Sequence, residues 1–283
     1  MKIAISTEST VDVTEEIKNK YNLKIVPFTV LLGDDAEPDG KISGNDVIAY
    51  VDKTGKLPKT SAVNRKQYEE HFKNVLEEYD AVVHIALSSE ISSACENAKA
   101  VAENLKNVFV VDSRSLSTGV ALLCIYAYEL AEKGLDAEEI AKKCEKRVPF
   151  VQASFVLKRL DYLYKGGRCS ALAYFGANLL RIRPQIILKN GKMQPGRKFR
   201  GNFDQCVKKY VEGTLEDFSS PDLSHVFITY TTAEDDTLEK VRDILVERGF
   251  KDIMITRANA TITSHCGENC LGILYINDGK AEK

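Results

Sequence analysis

Three times in the first half of the chain, a short apolar run passes into a turn of small polar residues and then into a helical segment. Residues 2–6 lead into Thr7-Glu8-Ser9-Thr10 and a helix holding residues 15–20, which Asp12 or Thr14 can start. Residues 81–87 lead into the turn 88–93 and a helix over 94–105, and residues 108–111 into a long helix over 115–134. Strands joined through helices pair in parallel, and a parallel sheet needs helices on both faces. This pattern predicts an amino-terminal α/β domain over residues 1–150. Ligands of such sheets sit where strand carboxyl ends meet helix amino termini, which puts the turns at 6–10, 88–93 and 112–117 on one rim.

Between these units, residues 23–32 read as a second strand closed by Gly33-Asp34-Asp35, and Asp39-Gly40 as a turn. Ser43 reads as the N-cap of a helix to residue 52, and Asn64 as the start of another to residue 79. After a helix at 136–146 and a strand at 151–157 the texture changes. Strand-like runs at 184–188, 192–194, 225–231, 253–257 and 272–276 are interspersed with helices at 203–218 and 234–247. The second half is therefore expected to be an α+β domain over residues 151–283 with a mixed or antiparallel sheet, the boundary falling near 148–160.

Net charge is −2, but it is unevenly placed. Residues 162–203 hold no Asp or Glu and nine basic residues, Lys165, Arg168, Arg181, Arg183, Lys189, Lys192, Arg197, Lys198 and Arg200. The rest of the chain has 30 basic against 41 acidic residues. A one-signed block points to an anion or an acidic partner, unless acids from elsewhere in the fold meet it. Seven cysteines form no disulfide framework, and no apolar run approaches the ~18 residues of a membrane span. The first six residues turn polar too soon for a signal-peptide core. The expected setting is cytoplasmic, with at most peripheral membrane contact.

Eight short stretches follow one another in a telling order. They are Ser6-Thr7-Glu8-Ser9, Val26-Pro27-Phe28, Asp39-Gly40, Lys59-Thr60-Ser61, Ser88-Ser89-Glu90-Ile91-Ser92, Val111-Asp112-Ser113, Leu163-Tyr164-Lys165-Gly166-Gly167-Arg168 and His265-Cys266-Gly267. Together they resemble the DegV family of fatty-acid-binding proteins from about residue 3 to 276, the Lys-Gly-Gly-Arg run being the most distinctive. Glu8 stands where an Asp is usual, Ser93-Ala94 where Gly-Thr is common, and Asn269 where a glycine is found. The resemblance implies a lipid carrier with no catalytic residue, cofactor or metal of its own. It implies that the carboxylate of a long-chain fatty acid is held between the domains by Thr60, Ser92 and His265. Ser61 would stand beside Thr60, with Ser9, Ser88, Ser89 and Gly267 in supporting loops. It further implies that a separate fatty acid kinase phosphorylates the bound acid for an acyl-phosphate-using enzyme of phospholipid synthesis. Arg168 and Arg200 would then face the kinase or the phosphate.

The chemistry of these residues fits an anion holder. A carboxylate leaving water needs donors. Hydroxyls at Thr60, Ser61, Ser89 and Ser92, the imidazole of His265 and the amino end of the helix after residue 92 supply them, although the sequence fixes no Lys or Arg there. Burying ~15 methylenes at ~0.8 kcal/mol each gives roughly 12 kcal/mol before ordering costs, against about 1 kcal/mol per neutral hydrogen bond. The tail sets affinity and the head group sets orientation. Ile85, Leu87, Ile91, Leu179, Leu180 and Ile187 lie near the motifs and can line a tunnel or simply pack a core. His71, His84 and His225 carry no assigned role.

Rival classes have weaker support. A hydrolase using Ser92 or Ser9 with His265 lacks a Gly-x-Ser-x-Gly elbow and an orienting acid. A metal or redox site at His265-Cys266-x-x-x-Cys270 lacks regular zinc spacing. Nucleic acid would have to bind through residues 162–203. No phosphate-cradling Gly-x-x-x-x-Gly-Lys-Ser/Thr occurs, so ATP binding by this chain is not expected.

Overall fold

The computed structural model describes residues 1–169 and 182–279. The first half runs β1 (Ile3–Glu8), α1 (Glu15–Lys20), β2 (Lys24–Val26), β3 (Thr29–Leu32), β4 (Asp35–Pro38), α2 (Gly44–Thr54), β5 (Lys59–Ser61), α3 (Arg65–Leu76), β6 (Ala81–Ala86), α4 (Ala94–Ala102), β7 (Val108–Asp112), α5 (Thr118–Glu132) and α6 (Ala137–Arg147). The second runs β8 (Val151–Leu157), α7 (Asp161–Lys165), β9 (Arg183–Lys189), β10 (Lys192–Phe199), α8 (Phe203–Asp217), β11 (His225–Tyr230), α9 (Asp235–Arg248), β12 (Asp252–Arg257), α10 (Ala260–Cys266) and β13 (Cys270–Ile276).

The apolar repeats form the expected parallel sheet, in the order β2-β1-β6-β7. Every residue of β6 is buried, as a strand covered on both faces must be. Tyr68, Phe72 and Val75 of α3 with Ala94 and Ala98 of α4 cover one face. Apolar residues of α5 and α6 cover the other. α5 is buried around most of its circumference because Phe227 and Leu274 of the second sheet pack in the same cluster. Ser43 and Asn64 cap α2 and α3 as their sequence positions predict, each in a reciprocal capping box.

The second sheet is mixed, in the order β10-β9-β8-β13-β11-β12, with only β11 and β12 parallel. Side chains alternate across it. Leu271, Ile273 and Tyr275 of β13 pack under α8 and α9, whereas Cys270 and Leu274 face the first half. Among the described residues no helix is long and apolar enough to cross a membrane.

The predicted strand over 23–32 is two strands in two sheets. β2 stops at Val26 because Pro27 has no N–H for the ladder. The chain then turns, with the Phe28 N–H donated to Ser9 Oγ at 3.0 Å. β3 joins β4 and β5 in a small antiparallel sheet that the sequence pattern did not announce. α7 and α10 are likewise additions. Leu179, Leu180 and Arg181 lie outside the described residues.

Candidate functional site

The mixed sheet, the small antiparallel sheet, α10 and the loops that follow the parallel strands surround a cavity with about 830 Å³ of empty space, its open mouth and adjoining solvent included. Thr60 of β5, Ser92 before α4 and His265 of α10 all stand in its wall, although they are far apart in sequence. Around them the wall takes apolar side chains from many elements, including Phe28, Leu87, Ile91, Phe155, Leu163 and Leu274. Of the predicted lining, Leu87 and Ile91 are present, whereas Ile85 is packed in the core between α5 and the parallel sheet. Ile187 is not in the wall.

The polar atoms divide into those already satisfied and those left for a guest. Thr229 Oγ1 bonds Thr118 and Thr256, Ser117 donates to Asp12 at 2.5 Å, and Thr231 accepts the Cys270 N–H. Thr60 Oγ1 lies 2.9 Å from His265 Nε2. Ser92 Oγ accepts the Ala94 N–H at 3.2 Å, which leaves its own O–H to donate. His265 Nδ1 is buried without a partner, packed so close to Gly166 that a Cβ there would stand 2.7 Å away. The tautomer with its proton on Nε2 leaves only a lone pair unfilled at Nδ1, less costly than a buried unpaired N–H. In that tautomer Nε2–H donates to Thr60, and the Thr60 O–H is aimed onward. Burial, then the Arg168 guanidinium, pushes the His265 imidazole down to about 4. The ring is therefore neutral near pH 7 and supports Thr60 as a donor.

Arg168 stands nearer the site than its sequence position alone could tell. The sequence pattern fixes no cation at the carboxylate site, and the family resemblance makes Arg168 a partner or phosphate contact; in the structure Arg168 lines the same cavity, with Nη1 donating to the Gly166 carbonyl at 2.6 Å. The Gly166-Gly167 turn brings it there, Gly167 having φ +72°. Ser61 is a correction to the expected carboxylate site. It follows Thr60 on a strand, so its side chain turns to the other face, where it is exposed and outside the cavity wall. Arg200 is exposed beyond the end of β10 and also outside the wall. The basic block divides. Arg197 pairs with Glu216 and Asp217, and Lys192 with Glu90, so acids from elsewhere meet part of it.

The remaining loop residues hold the frame. Ser88 Oγ donates to the Gly191 carbonyl at the β9–β10 turn, tying the two halves together. Ser89 bonds Asp112 through both its N–H and its hydroxyl. Ser9 donates to Asp39, which also accepts the Ala260 N–H, while Asp12 accepts the Asn259 N–H. These two carboxylates hold the first turn of the short helix that carries His265. Gly267 ends it at φ +68°, and Asn269 takes φ +53°, a conformation asparagine tolerates.

A buried network beside the site escaped the sequence reading. Glu8 accepts from Tyr68 at 2.5 Å, from His84 Nε2 at 3.1 Å and from the Leu87 N–H at 2.9 Å. His84 Nδ1 meets Ser6 Oγ, which also contacts His71 Nε2 at 2.8 Å. Burial alone would raise Glu8, but the charge and hydrogen bonds of His84, with those of Tyr68 and Leu87, leave it lowered. Ser6, His84 and Glu8 have the order of a catalytic relay, but Ser6 has no exposed surface and is not in the cavity wall.

Two histidines here give stability a pH dependence. His71, through burial and then the His84 charge, is pushed down to about 4, as is His265. Between the unfolded value near 6.5 and about 4, the unfolded chain takes up protons that the native state refuses. Stability from these groups is therefore lost as pH falls through that window. Denaturant midpoints measured from pH 7 to pH 4 should fall in the wild type and fall less in His71→Gln. Equal slopes would refute this origin.

A family model described as "Uncharacterised protein, DegV family" matches residues 2–278 of the chain. A Thermotoga maritima protein named fatty acid-binding protein is 29% identical over 279 residues, covering 96% of each chain. A structure described as fatty acid binding of a DegV family protein from Thermus thermophilus has the same fold. Its TM-score is 0.89 at 23% sequence identity, over 98% of this chain and 100% of that one. A Thermotoga maritima structure described as revealing fatty acid binding function is 28% identical, with a TM-score of 0.83 over 98% and 99% of the two chains.

Proposed function

The chain belongs to the DegV family, and on that basis and the cavity's chemistry we propose that it carries one long-chain fatty acid and presents the carboxyl group to a partner. The supporting observation is the pairing of Thr60 with His265, beside the Ser92 hydroxyl, in the wall of a largely apolar passage. Thr60 and Ser92 donate to the carboxylate, His265 orients Thr60, and Arg168 adds a positive charge to the wall. The tail supplies most of the affinity through the hydrophobic effect.

A carrier role agrees with the state of the site. His265 Nδ1 has no carboxylate to orient it, and Ser9 is committed to Asp39, so neither predicted Ser–His pair has the parts of a hydrolase. Arg168 is an exposed residue that also lines the cavity, suited to meet a phosphate added by a separate fatty acid kinase. The acyl phosphate would pass to an enzyme of phospholipid synthesis. The site would lie between domains 1–150 and 151–283. Seven free, buried cysteines accord with a cytoplasmic setting.

Native mass spectrometry of the purified protein should find one long-chain acid per chain. Thr60→Val combined with Ser92→Ala removes two charge-assisted bonds of about 1.5–3 kcal/mol each and should lower affinity by about a hundredfold or more. Arg168→Ala should retain lipid while impairing phosphorylation by the kinase. Lipid-free wild type, or full retention in the double variant, would overturn the assignment.

A further inference from the structure

The cavity wall carries more hydroxyls than an unbroken hydrocarbon tail can use. Ser117, Ser154, Thr229 and Thr231 stand in it, and each is already bonded within the protein. Thr10 and Thr261 stand in it too, at 1% and 3% exposure, and they differ. Thr261 Oγ1 is buried without a hydrogen-bond partner. Asp39 lies nearby, but it takes the Ser9 hydroxyl and the Ala260 N–H, and Thr261 is outside bonding geometry to it. Among the described residues the Thr10 hydroxyl has no partner either.

The two hydroxyls sit together at a definite depth. The Ser9 carbonyl accepts from Asn259 Nδ2 at 2.9 Å, and Asp12 accepts the Asn259 N–H at 2.7 Å. Thr10, between them in sequence, therefore meets the amino end of α10, where Thr261 stands. His265 is four residues further along, on the same side of the helix and, at ~1.5 Å per residue, about 6 Å away along its axis. Gly166 packs on His265, and its carbonyl is held by the exposed Arg168, which marks that end as the mouth. A tail running inward from the mouth passes Thr10 and Thr261 after about five carbon–carbon bonds, at ~1.3 Å of advance per bond. Methylenes at that point leave both hydroxyls unpaired, whereas a guest hydroxyl, donor and acceptor at once, pairs with them.

We propose that Thr10 and Thr261 form a second polar station that selects fatty acids hydroxylated near the fifth or sixth carbon. The proposal rests on the fatty-acid reading and adds to it the class of acyl chain. Thr60, Ser92 and His265 hold the acid end, and the second station reads an oxygen on the tail. A wall built to bond a hydroxyl discriminates against the analogue that lacks it, because its own polar groups are then left unpaired.

The test uses full-length protein stripped of lipid. Affinities for palmitic, 6-hydroxypalmitic and 16-hydroxypalmitic acid are measured by displacement of a fluorescent fatty acid. The two hydroxy acids have the same atoms and differ only in where the oxygen lies. The 6-hydroxy isomer should bind about tenfold more tightly than the 16-hydroxy isomer. Thr10→Val combined with Thr261→Val should erase that preference while keeping or strengthening the binding of palmitic acid. The stripped variant should melt no lower than wild type, because valine removes an unpaired hydroxyl. Equal binding of the two isomers to wild type would mean that the station holds only water; with palmitic acid still bound, the proposal falls and the carrier reading stands. A preference that survives both substitutions would also overturn the proposal. So would a melting temperature several degrees lower in the variant, since the two hydroxyls would then serve the fold. Binding of none of the three acids would sink the proposal and the carrier reading together.

Discussion

Replacing Ala258 with Phe is expected to give a folded protein that purifies without the long-chain acid proposed for the cavity. Ala258 follows β12, is 4% exposed, and lines the cavity. Its backbone N–H is fixed to the Tyr230 carbonyl at 2.8 Å, so the added ring cannot be relieved by moving the strand end and must enter the empty space. A benzyl group there displaces roughly four methylenes of the guest, and at ~0.8 kcal/mol each the loss is about 3 kcal/mol, more than a hundredfold in affinity. Overfilling a packed core would instead cost stability, typically about 1–3 kcal/mol. The two effects separate cleanly. Lipid occupancy should collapse while the melting temperature of the stripped protein changes little, and shorter acids should become the preferred guests. Retention of the wild-type lipid by this variant would mean that the tail does not lie along this wall.

The parallel sheet was readable because its strands are short apolar runs that each end in a polar turn, a signal carried by neighbours in sequence. The helix holding His265 was not. Ala260–Cys266 is rich in Thr and Ile, which read as extended chain, and its first turn is held by Asp12 and Asp39 from more than 200 residues away. No local pattern encodes such a cap. Thr60 and His265 were named from the family resemblance, but their 2.9 Å contact depends on β5, a three-residue strand too short to show alternation. Ser61 shows the same limit from the other side. Adjacent hydroxyls look equivalent in sequence, and a strand sends them to opposite faces. The charge pattern alone makes Arg168 one of nine like charges; the family resemblance marks it as a phosphate or partner contact, and its place in the cavity wall comes only with the Gly166-Gly167 turn.

Glu8→Ala is expected to cost about 3–5 kcal/mol of unfolding free energy, the largest stability effect of any single truncation discussed. Glu8 and His84 have no exposed surface, and three donors converge on this one carboxylate: the Tyr68 hydroxyl, His84 Nε2 and the Leu87 N–H. Truncation leaves each of them buried without an acceptor, at about 1–3 kcal/mol per orphan. Glu8→Gln keeps one acceptor but sets an amide donor against one of the three, so its loss should be intermediate. Tyr68→Phe removes a single bond and should cost least. The Leu87 N–H is also where the chain enters the turn that ends in Ser92, so the same truncation should loosen the carboxylate site and speed lipid loss from the native protein. Urea midpoints for the three variants, read beside lipid retention in native buffer, test both effects. A Glu8→Ala protein within about 1 kcal/mol of wild type would mean that water reaches this network in solution and satisfies the donors that the fold otherwise pairs with Glu8.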